Sequence, residues 1–225
     1  KMSKHLNIKL HDTILDKEKF SSNFNKILNQ LDEPIGAPTY IPMYFLSELA
    51  AKNVKSVLSG DGADEIFGGY ENFNYLKIFR FINLLRLNKI CSKAKNLINL
   101  FPISKNNLSL DFKLRRFSQG MEVNEIFQNT FFLSSLSLED HEELFKEKFD
   151  FEEILDEVIQ FGKENKNENY IDKNYLYFVN FYIPDLICAR ADKAGMLNSL
   201  EIRSPFLNSK ILNLMLSIPK NKSYL

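Results

Sequence analysis

The chain has 225 residues, enough for one large domain or two small ones, and its 44% hydrophobic and 26% charged residues are ordinary for a globular protein. Lys and Arg together number 29, as do Asp and Glu, so the basic excess typical of nucleic-acid binders is absent. Two distant cysteines and three histidines without i, i+4 spacing argue against a disulfide framework or a metal cluster. No apolar run approaches the ~20 residues of a membrane helix. We therefore expect a cytoplasmic protein with no nucleic-acid and no membrane partner.

Apolar periodicity predicts an α/β arrangement in the first part of the chain, residues 1–70. Leu6, Ile8 and Leu10 alternate with polar residues, which is typical of a strand. A short β-branched run before a Gly-rich turn is the best candidate for a buried strand. The predicted elements, in chain order, are a strand at 6–15, a helix at 17–31, a Pro-rich loop at 32–42, a helix at 42–53 and a strand at 54–58.

The second part, residues 71–225, is predicted to be mainly helical. Apolar residues recur at helical spacing from about 72 to 183, interrupted by polar loops such as 162–169. We interpret the aromatic pairs at 131–132 and 178–181 as core rather than as a ligand box, because aromatic residues at helical spacing usually pack inside. A final compact region at 184–219 mixes turn residues with apolar runs.

The chemistry-bearing motif is the run SGDGADE at 59–65, with three carboxylates and two glycines directly after a predicted strand. In an open α/β sheet, ligands bind at the carboxyl ends of the strands. Acids this close repel one another unless a cation or hydrogen bonds offset their charge, and Mg²⁺ bound through carboxylates and phosphates would do so. The alternative is a Gly-Asp-Gly turn whose following acids only begin a helix, with no further function.

Residues 57–70 (VLSGDGADEIFGGY) are similar, nearly position by position, to the signature of the asparagine synthetase family. The segments 190–196 (RADKAGM) and 199–208 (SLEIRSPFLN) resemble that family's distal block, with Asn208 where the family usually has Asp. The Asp32-Glu33-Pro34 loop, together with residues 42–44 (PMY), also resembles the segment that precedes the signature. The three matches follow in the family's order, and the resemblance covers nearly the whole chain.

The resemblance implies a partial ATP-pyrophosphatase synthetase domain over 1–225. Its fold would be α/β, a truncated Rossmann-like domain of the adenine nucleotide alpha hydrolase (HUP) type with a mostly helical remainder. The enzyme would be a ligase that converts the side-chain carboxylate of aspartate into an acyl adenylate. Ammonia from a glutaminase domain outside this chain would then give asparagine, with AMP and pyrophosphate released. ATP and Mg²⁺ are the implied cofactors.

The resemblance also implies roles for six residues. The nucleotide-binding residues would be Leu58, Ser59 and Gly60, the catalytic residues Asp61 and Lys193, and the metal ligand Asp64. Asp61 would face the reacting acyl carbon and bind ammonia or take up its proton. Lys193 would stabilise the charge that develops on the α-phosphate and on pyrophosphate. Glu201 and Arg203 are expected to form a buried structural ion pair.

The family's phosphate loop, S-G-G-x-D-S, is expected upstream of residue 1. We therefore expect the isolated chain to lack synthetase turnover, and an exposed strand edge to favour self-association, such as a homodimer. Two alternatives remain open. The protein could be a related enzyme that amidates another carboxylate, or a non-catalytic helical interaction or structural protein.

Overall fold

The computed structural model describes residues 1–33, 35–70, 73, 75–87, 109–121, 126–128, 138–146, 153, 155–166 and 168–218. The chain divides into two compact units, each formed from two separate segments. The first unit consists of Lys1–Ala63 and Phe181–Leu212, and the second of Asp64–Asn180 and Asn213–Leu225. The segment that contains the distal motif therefore folds together with the beginning of the chain.

The first unit has two twelve-residue helices ahead of its sheet. Both were predicted, and the first, Lys17–Leu28, begins at Asp16, whose carboxylate accepts a hydrogen bond of 2.7 Å from the Lys19 N–H. The second, Tyr40–Ala51, carries Pro42 in its first turn, where the missing N–H costs no helical hydrogen bond. Other elements of this unit are the short helix Met2–His5, strand β1 (Ser56–Leu58), the helix Ala189–Met196, strand β2 (Glu201–Arg203), a 3₁₀ turn at Pro205–Leu207 and the start of the helix Ser209–Ser217.

Strands β1 and β2 form a parallel pair in which Val57 lies opposite Ile202. The Ser59 N–H extends the ladder by donating to the Arg203 carbonyl at 2.8 Å. A mixed fold of helices with a small parallel sheet agrees with the predicted α/β class. The strand at 54–58 is confirmed over its last three residues, but its predicted burial is wrong, since Leu58 is 75% exposed.

The predicted strand at 6–15 is wrong. Its alternating apolar side chains Leu6, Ile8 and Leu10 are all more than half exposed, and no strand forms there. Alternation produces a strand only where a neighbouring strand can accept its hydrogen bonds. In the described ranges the sheet contains β1 and β2 alone, and the 6–15 segment pairs with neither of them.

The core of the first unit joins the helices Tyr40–Ala51 and Ala189–Met196, the second of which we call the distal helix. Its fully buried members are Ile27, Tyr40, Tyr44, Phe45 and Ala194. The Asn198 side-chain amide fastens the two helices by donating to the Tyr44 carbonyl at 3.1 Å and to the Ala194 carbonyl at 3.0 Å. This packing fixes which face of the distal helix is turned toward the signature motif.

The elements that the structure describes in the second unit are helices. Its described helices include Leu76–Leu84, Leu110–Gly120, Leu138–Phe145, Asp156–Glu164 and Tyr170–Tyr177. Phe178 is fully buried, which confirms its assignment to the core, whereas the pair at 131–132 lies outside the described residues. The loop predicted at 162–169 is wrong over its first three residues, because the helix continues to Glu164, with Lys163 and Glu164 exposed.

A π-helix, Phe178–Cys188, leads into the distal helix. An eleven-residue π-helix is unusual, since this conformation mostly occurs as single-turn bulges. It contains Pro184, which lacks the N–H that a regular helix would require. Of the helices in the described ranges, none has the length and apolar character needed to cross a membrane.

Candidate active site

The signature loop, residues 59–62, follows directly from the end of β1. The Ser59 hydroxyl donates a hydrogen bond of 2.6 Å to Oδ2 of Asp61. Gly62 has a φ of 87°, in the left-handed region, and a Cβ at this position would clash with the Leu207 side chain. Gly62 is therefore required for two reasons: its backbone conformation is unfavourable for other residues, and there is no space for a side chain.

Arg190 of the distal helix holds the other oxygen of Asp61. Its Nη2 lies 2.5 Å from Oδ1 of Asp61, and its Nη1 donates to the Thr39 hydroxyl at 2.8 Å. The Arg190 and Asp61 side chains are only 14% and 13% exposed, so this charge-assisted contact is largely shielded from water. Both carboxylate oxygens of Asp61 are thus engaged, one by Arg190 and one by Ser59.

Lys193, one turn further along the distal helix, is paired with two acids of the loop that precedes the helix Tyr40–Ala51, which we call the 32–39 loop. Its Nζ lies 2.5 Å from Oδ1 of Asp32 and 2.8 Å from Oε1 of Glu33. Hydrogen bonds to Asp32 and Glu33 raise the pKa of Lys193, and the same contact with Lys193 lowers the pKa of Asp32. The lysine is 19% exposed, whereas Asp32 and Glu33 are 80% and 68% exposed, so the acids lie on the water side of the contact.

The structure thus brings Ser59 and Asp61 together with the distal helix. Within the described part of the chain, Lys193 makes no hydrogen bond to either of them. Sequence reasoning missed Arg190, although it named the motif that contains it. A usable signal was its spacing: residues three apart on a helix share a face, so Arg190 and Lys193 present two cations side by side.

The three predicted nucleotide-binding residues lie in the strand end and the signature loop. Leu58 and Ser59 border a cavity of about 440 Å³ between the helix Tyr40–Ala51 and the sheet. The cavity is mostly apolar; other residues around it include Met43, Leu46, Val57 and Ile202. Gly60 lies outside this lining, and a Cβ at Gly60 would meet no described atom within 4 Å. The backbone at Gly60 is therefore open to close approach by a ligand.

Asp64 belongs to the second unit, where it occupies the first turn of the helix Ala63–Phe67. It is exposed, and the chain folds back so that the Gly69 N–H donates to its carbonyl at 2.9 Å. A Cβ at Gly69 would clash with the Asp64 carboxylate. The adjacent Glu65 is buried and accepts a 2.5 Å hydrogen bond from the Tyr70 hydroxyl. The two neighbouring acids therefore differ, Glu65 being a structural group and Asp64 an available one.

Comparison with known proteins shows that the similarity to the asparagine synthase family extends beyond the signature loop and the distal helix. The family model for asparagine synthase matches residues 1–224. The chain belongs to the asparagine synthase family. No solved structure matches it.

Several curated members of this family are similar to the chain. The asparagine synthetase [glutamine-hydrolyzing] 1 of Bacillus subtilis is 27% identical over 207 residues, which are 92% of this chain and 31% of that protein. A putative asparagine synthetase [glutamine-hydrolyzing] 1 of Methanocaldococcus jannaschii is 35% identical over 109 residues, 46% of this chain and 19% of that protein. The chain thus spans about a third of the length of the first of these asparagine synthetases.

The residues present are compatible with the Mg²⁺ ion that asparagine synthase-family membership implies, but they supply few ligands. Asp64 offers one exposed carboxylate, and the absence of a side chain at Gly69 leaves room for that carboxylate. In the described ranges no group of three or more His, Cys, Asp or Glu side chains could hold a metal. A single carboxylate suits Mg²⁺, which usually keeps several waters and takes other ligands from substrate phosphates.

The expectation for Glu201 and Arg203 in the distal asparagine synthase block is half right. The two side chains form an ion pair of 3.0 Å, as predicted. They are 59% and 65% exposed, so the predicted burial is wrong. Residues two apart on a strand share a face, and these two lie on the open face of a two-stranded sheet while Ile202 points to the other side.

Proposed function

We propose that this protein performs ATP-dependent amide formation. The side-chain carboxylate of aspartate is activated as β-aspartyl adenylate with release of pyrophosphate, and ammonia then attacks the acyl carbon to give asparagine and AMP. The observation that carries this proposal is the fixed carboxylate of Asp61, held by Ser59 and Arg190 at the carboxyl end of a parallel strand. Ligands of open α/β sheets bind at such strand ends.

Asp61 is the residue that binds ammonia and accepts its proton. Its carboxylate is largely shielded from water and cannot rotate freely, because each oxygen has a hydrogen-bond partner. A fixed anion beside the acyl carbon attracts ammonium and accepts a proton from the attacking nitrogen. The open backbone at Gly60 and the Ser59 hydroxyl lie next to it, at the position where the nucleotide part of the adenylate would bind.

Lys193 acts on the phosphate side. In the structure its ammonium is balanced by Asp32 and Glu33, which are exposed and held by side-chain contacts with Lys193. A polyphosphate carries more negative charge than these two carboxylates and competes for the same cation. Once Lys193 has moved to the phosphate, its long flexible side chain stabilises the charge that develops as pyrophosphate leaves.

Two components of the reaction come from outside the described residues. Mg²⁺, when bound, would neutralise charge on the phosphates, and Asp64 is the residue of this chain that would hold it. Ammonia would come from a glutaminase domain outside the chain. In support, the similar proteins from Bacillus subtilis and Methanocaldococcus jannaschii carry the words glutamine-hydrolyzing in their names.

The test is aspartate-dependent release of AMP and pyrophosphate from ATP by the full-length protein, with ammonia and Mg²⁺. We expect Lys193→Ala and Asp61→Asn each to lower kcat by roughly 10² to 10³-fold, the usual effect of removing one group that stabilises transition-state charge. Arg203→Ala, which removes an exposed cation of the same unit, serves as the control and should retain activity. Turnover of another carboxylate in place of aspartate would overturn the substrate, and no turnover with any acid would overturn the reaction.

A further inference from the structure

Arg190 joins two separate loops of the first unit through a single side chain. One end of its guanidinium contacts Thr39 at the end of the 32–39 loop, and the other contacts Asp61 in the signature loop. The guanidinium is planar and rigid, so two donors on it fix the distance between their acceptors. Arg190 therefore determines where the Asp61 carboxylate lies relative to Thr39.

The contact is poorly explained as a stabilising device. A largely buried ion pair gains little net stability, because removing both charges from water costs about as much as their attraction returns. In addition, the buried Nε of Arg190 has no hydrogen-bond partner among the described residues, which is itself unfavourable. The arrangement is better suited to orienting Asp61 than to holding the fold together.

We propose that Arg190 is a positioning residue that orients the Asp61 carboxylate for the attack of ammonia and links this orientation to the 32–39 loop. This inference rests on the proposed function. Arg190 acts through Asp61: its two bonded nitrogens are occupied by protein oxygens. Its loss should therefore lower the rate of amide formation much more than it weakens the binding of ATP or aspartate.

Three variants of the full-length protein test this role. We expect Arg190→Ala to lower kcat roughly 100-fold, the scale of a misplacement of about 1 Å, with KM for ATP changed less than about threefold. Arg190→Lys keeps the charge but has a single ammonium in place of the fork, so it should recover only part of the rate. Arg203→Ala is the matched control, since Arg203 pairs with Glu201 on the exposed face of the sheet.

Added guanidinium ion provides a readout that a purely structural role would not move. It should restore part of the lost kcat of Arg190→Ala by occupying the space of the missing group, and leave Arg203→Ala unchanged. In a double-mutant cycle, Arg190→Ala combined with Asp61→Asn should be no slower than Asp61→Asn alone, because the positioned group is already disabled.

The outcomes separate this inference from the proposed function. If the wild-type protein is active and Arg190→Ala keeps full kcat, the inference is overturned and the reaction stands. The same holds if guanidinium does not rescue Arg190→Ala and its loss of rate adds to that of Asp61→Asn. A wild-type protein that forms no AMP with any carboxylate would overturn both. Rescue by guanidinium together with a non-additive cycle would support Arg190 as the residue that positions Asp61.

Discussion

The Lys193 ammonium contacts Asp32 and Glu33, although these acids lie 161 and 160 residues away in the sequence. The contact joins the distal helix to the loop that precedes the helix Tyr40–Ala51. Because the hydrogen bonds that Lys193 donates to both acids raise its pKa, the lysine is held in its charged form. The 32–39 loop is thus fastened to the distal helix at both ends, by Lys193 near its beginning and by Arg190 at Thr39.

Neutralising the acids should lower the pKa of Lys193. We expect the pair Asp32→Asn and Glu33→Gln to shift it back toward the ordinary lysine value, since both hydrogen bonds to carboxylates are lost. The measurement is an NMR titration of the lysine side-chain signal in protein labelled at lysine. Glu18→Gln, which neutralises another acid of the first unit, is the matched control and should leave the signal unchanged. An unchanged pKa in the double variant would contradict the contact.

The same contact predicts how stability depends on pH. The folded-state pKa of Asp32 is lowered, so its contribution is present above the unfolded value near 3.9 and is lost as pH falls through the folded pKa. The pKa of Lys193 is raised, so its contribution is present below about 10.4 and is lost as pH rises through the folded pKa.

The Tm difference between wild type and Asp32→Asn measures that contribution. It should be largest near pH 7 and shrink at both pH extremes. It should also shrink in 1 M salt, where the Debye length falls to about 3 Å and exposed pairs are screened. A difference that stays constant from pH 3 to 7 would show that the ion pair does not contribute.

The buried hydroxyl of Tyr175 should make the protein less stable at alkaline pH, independently of the Lys193 contacts. Burial raises the pKa of its hydroxyl to about 12, and the hydroxyl donates to the Ile66 carbonyl at 3.2 Å. The unfolded chain releases this proton near pH 10, so stability should fall as pH rises from about 10 to 12. Tyr175→Phe should lose about 1 kcal/mol at pH 7 with the hydrogen bond, yet show a shallower alkaline decline in urea unfolding. Parallel declines in both proteins would rule Tyr175 out as the cause.

Gly62→Ala should destabilise the signature loop. The left-handed backbone at φ 87° costs a residue with a Cβ about 1–2 kcal/mol, and the new methyl group clashes with Leu207. Adding Leu207→Ala should relieve the clash in the double variant but not the backbone strain. Gly36→Ala is the matched control, because a Cβ there meets no described atom within 4 Å. Thermal unfolding of the three variants provides the comparison; equal Tm values for Gly62→Ala and Gly36→Ala would contradict the prediction.

Local sequence patterns predicted the parts of the fold that local interactions determine. The helices Lys17–Leu28 and Tyr40–Ala51 have apolar spacing and end signals of their own, and both were found within a few residues. Strand β2 was missed because three residues are too short for a period to be recognised. The burial of Leu58 was overestimated because exposure depends on what covers a strand, which its own sequence does not encode.

In the candidate site, too, the sequence predicted the local relationships and missed the long-range contacts. The Gly-rich run identified Ser59, Gly60 and Asp61 as neighbours, since they are consecutive in the chain. The partners of Asp61 and Lys193 could not be predicted from spacing, because each contact crosses more than a hundred residues of sequence. Only the packing of the distal helix against Tyr40–Ala51 brings them together.

The order of the segments also has a consequence for folding. Strand β1 pairs with a strand that is synthesised only after residues 59–200, so the signature loop has no completed sheet while the intervening helices leave the ribosome. Contacts this distant in sequence form slowly, because a long loop must close first. We expect a polypeptide stopped before Glu201 to retain helices of the segment Asp64–Asn180 but to leave Ser56–Leu58 unpaired. The surroundings of the Asp61 carboxylate are therefore completed late, only after Arg190 and strand β2 have been synthesised.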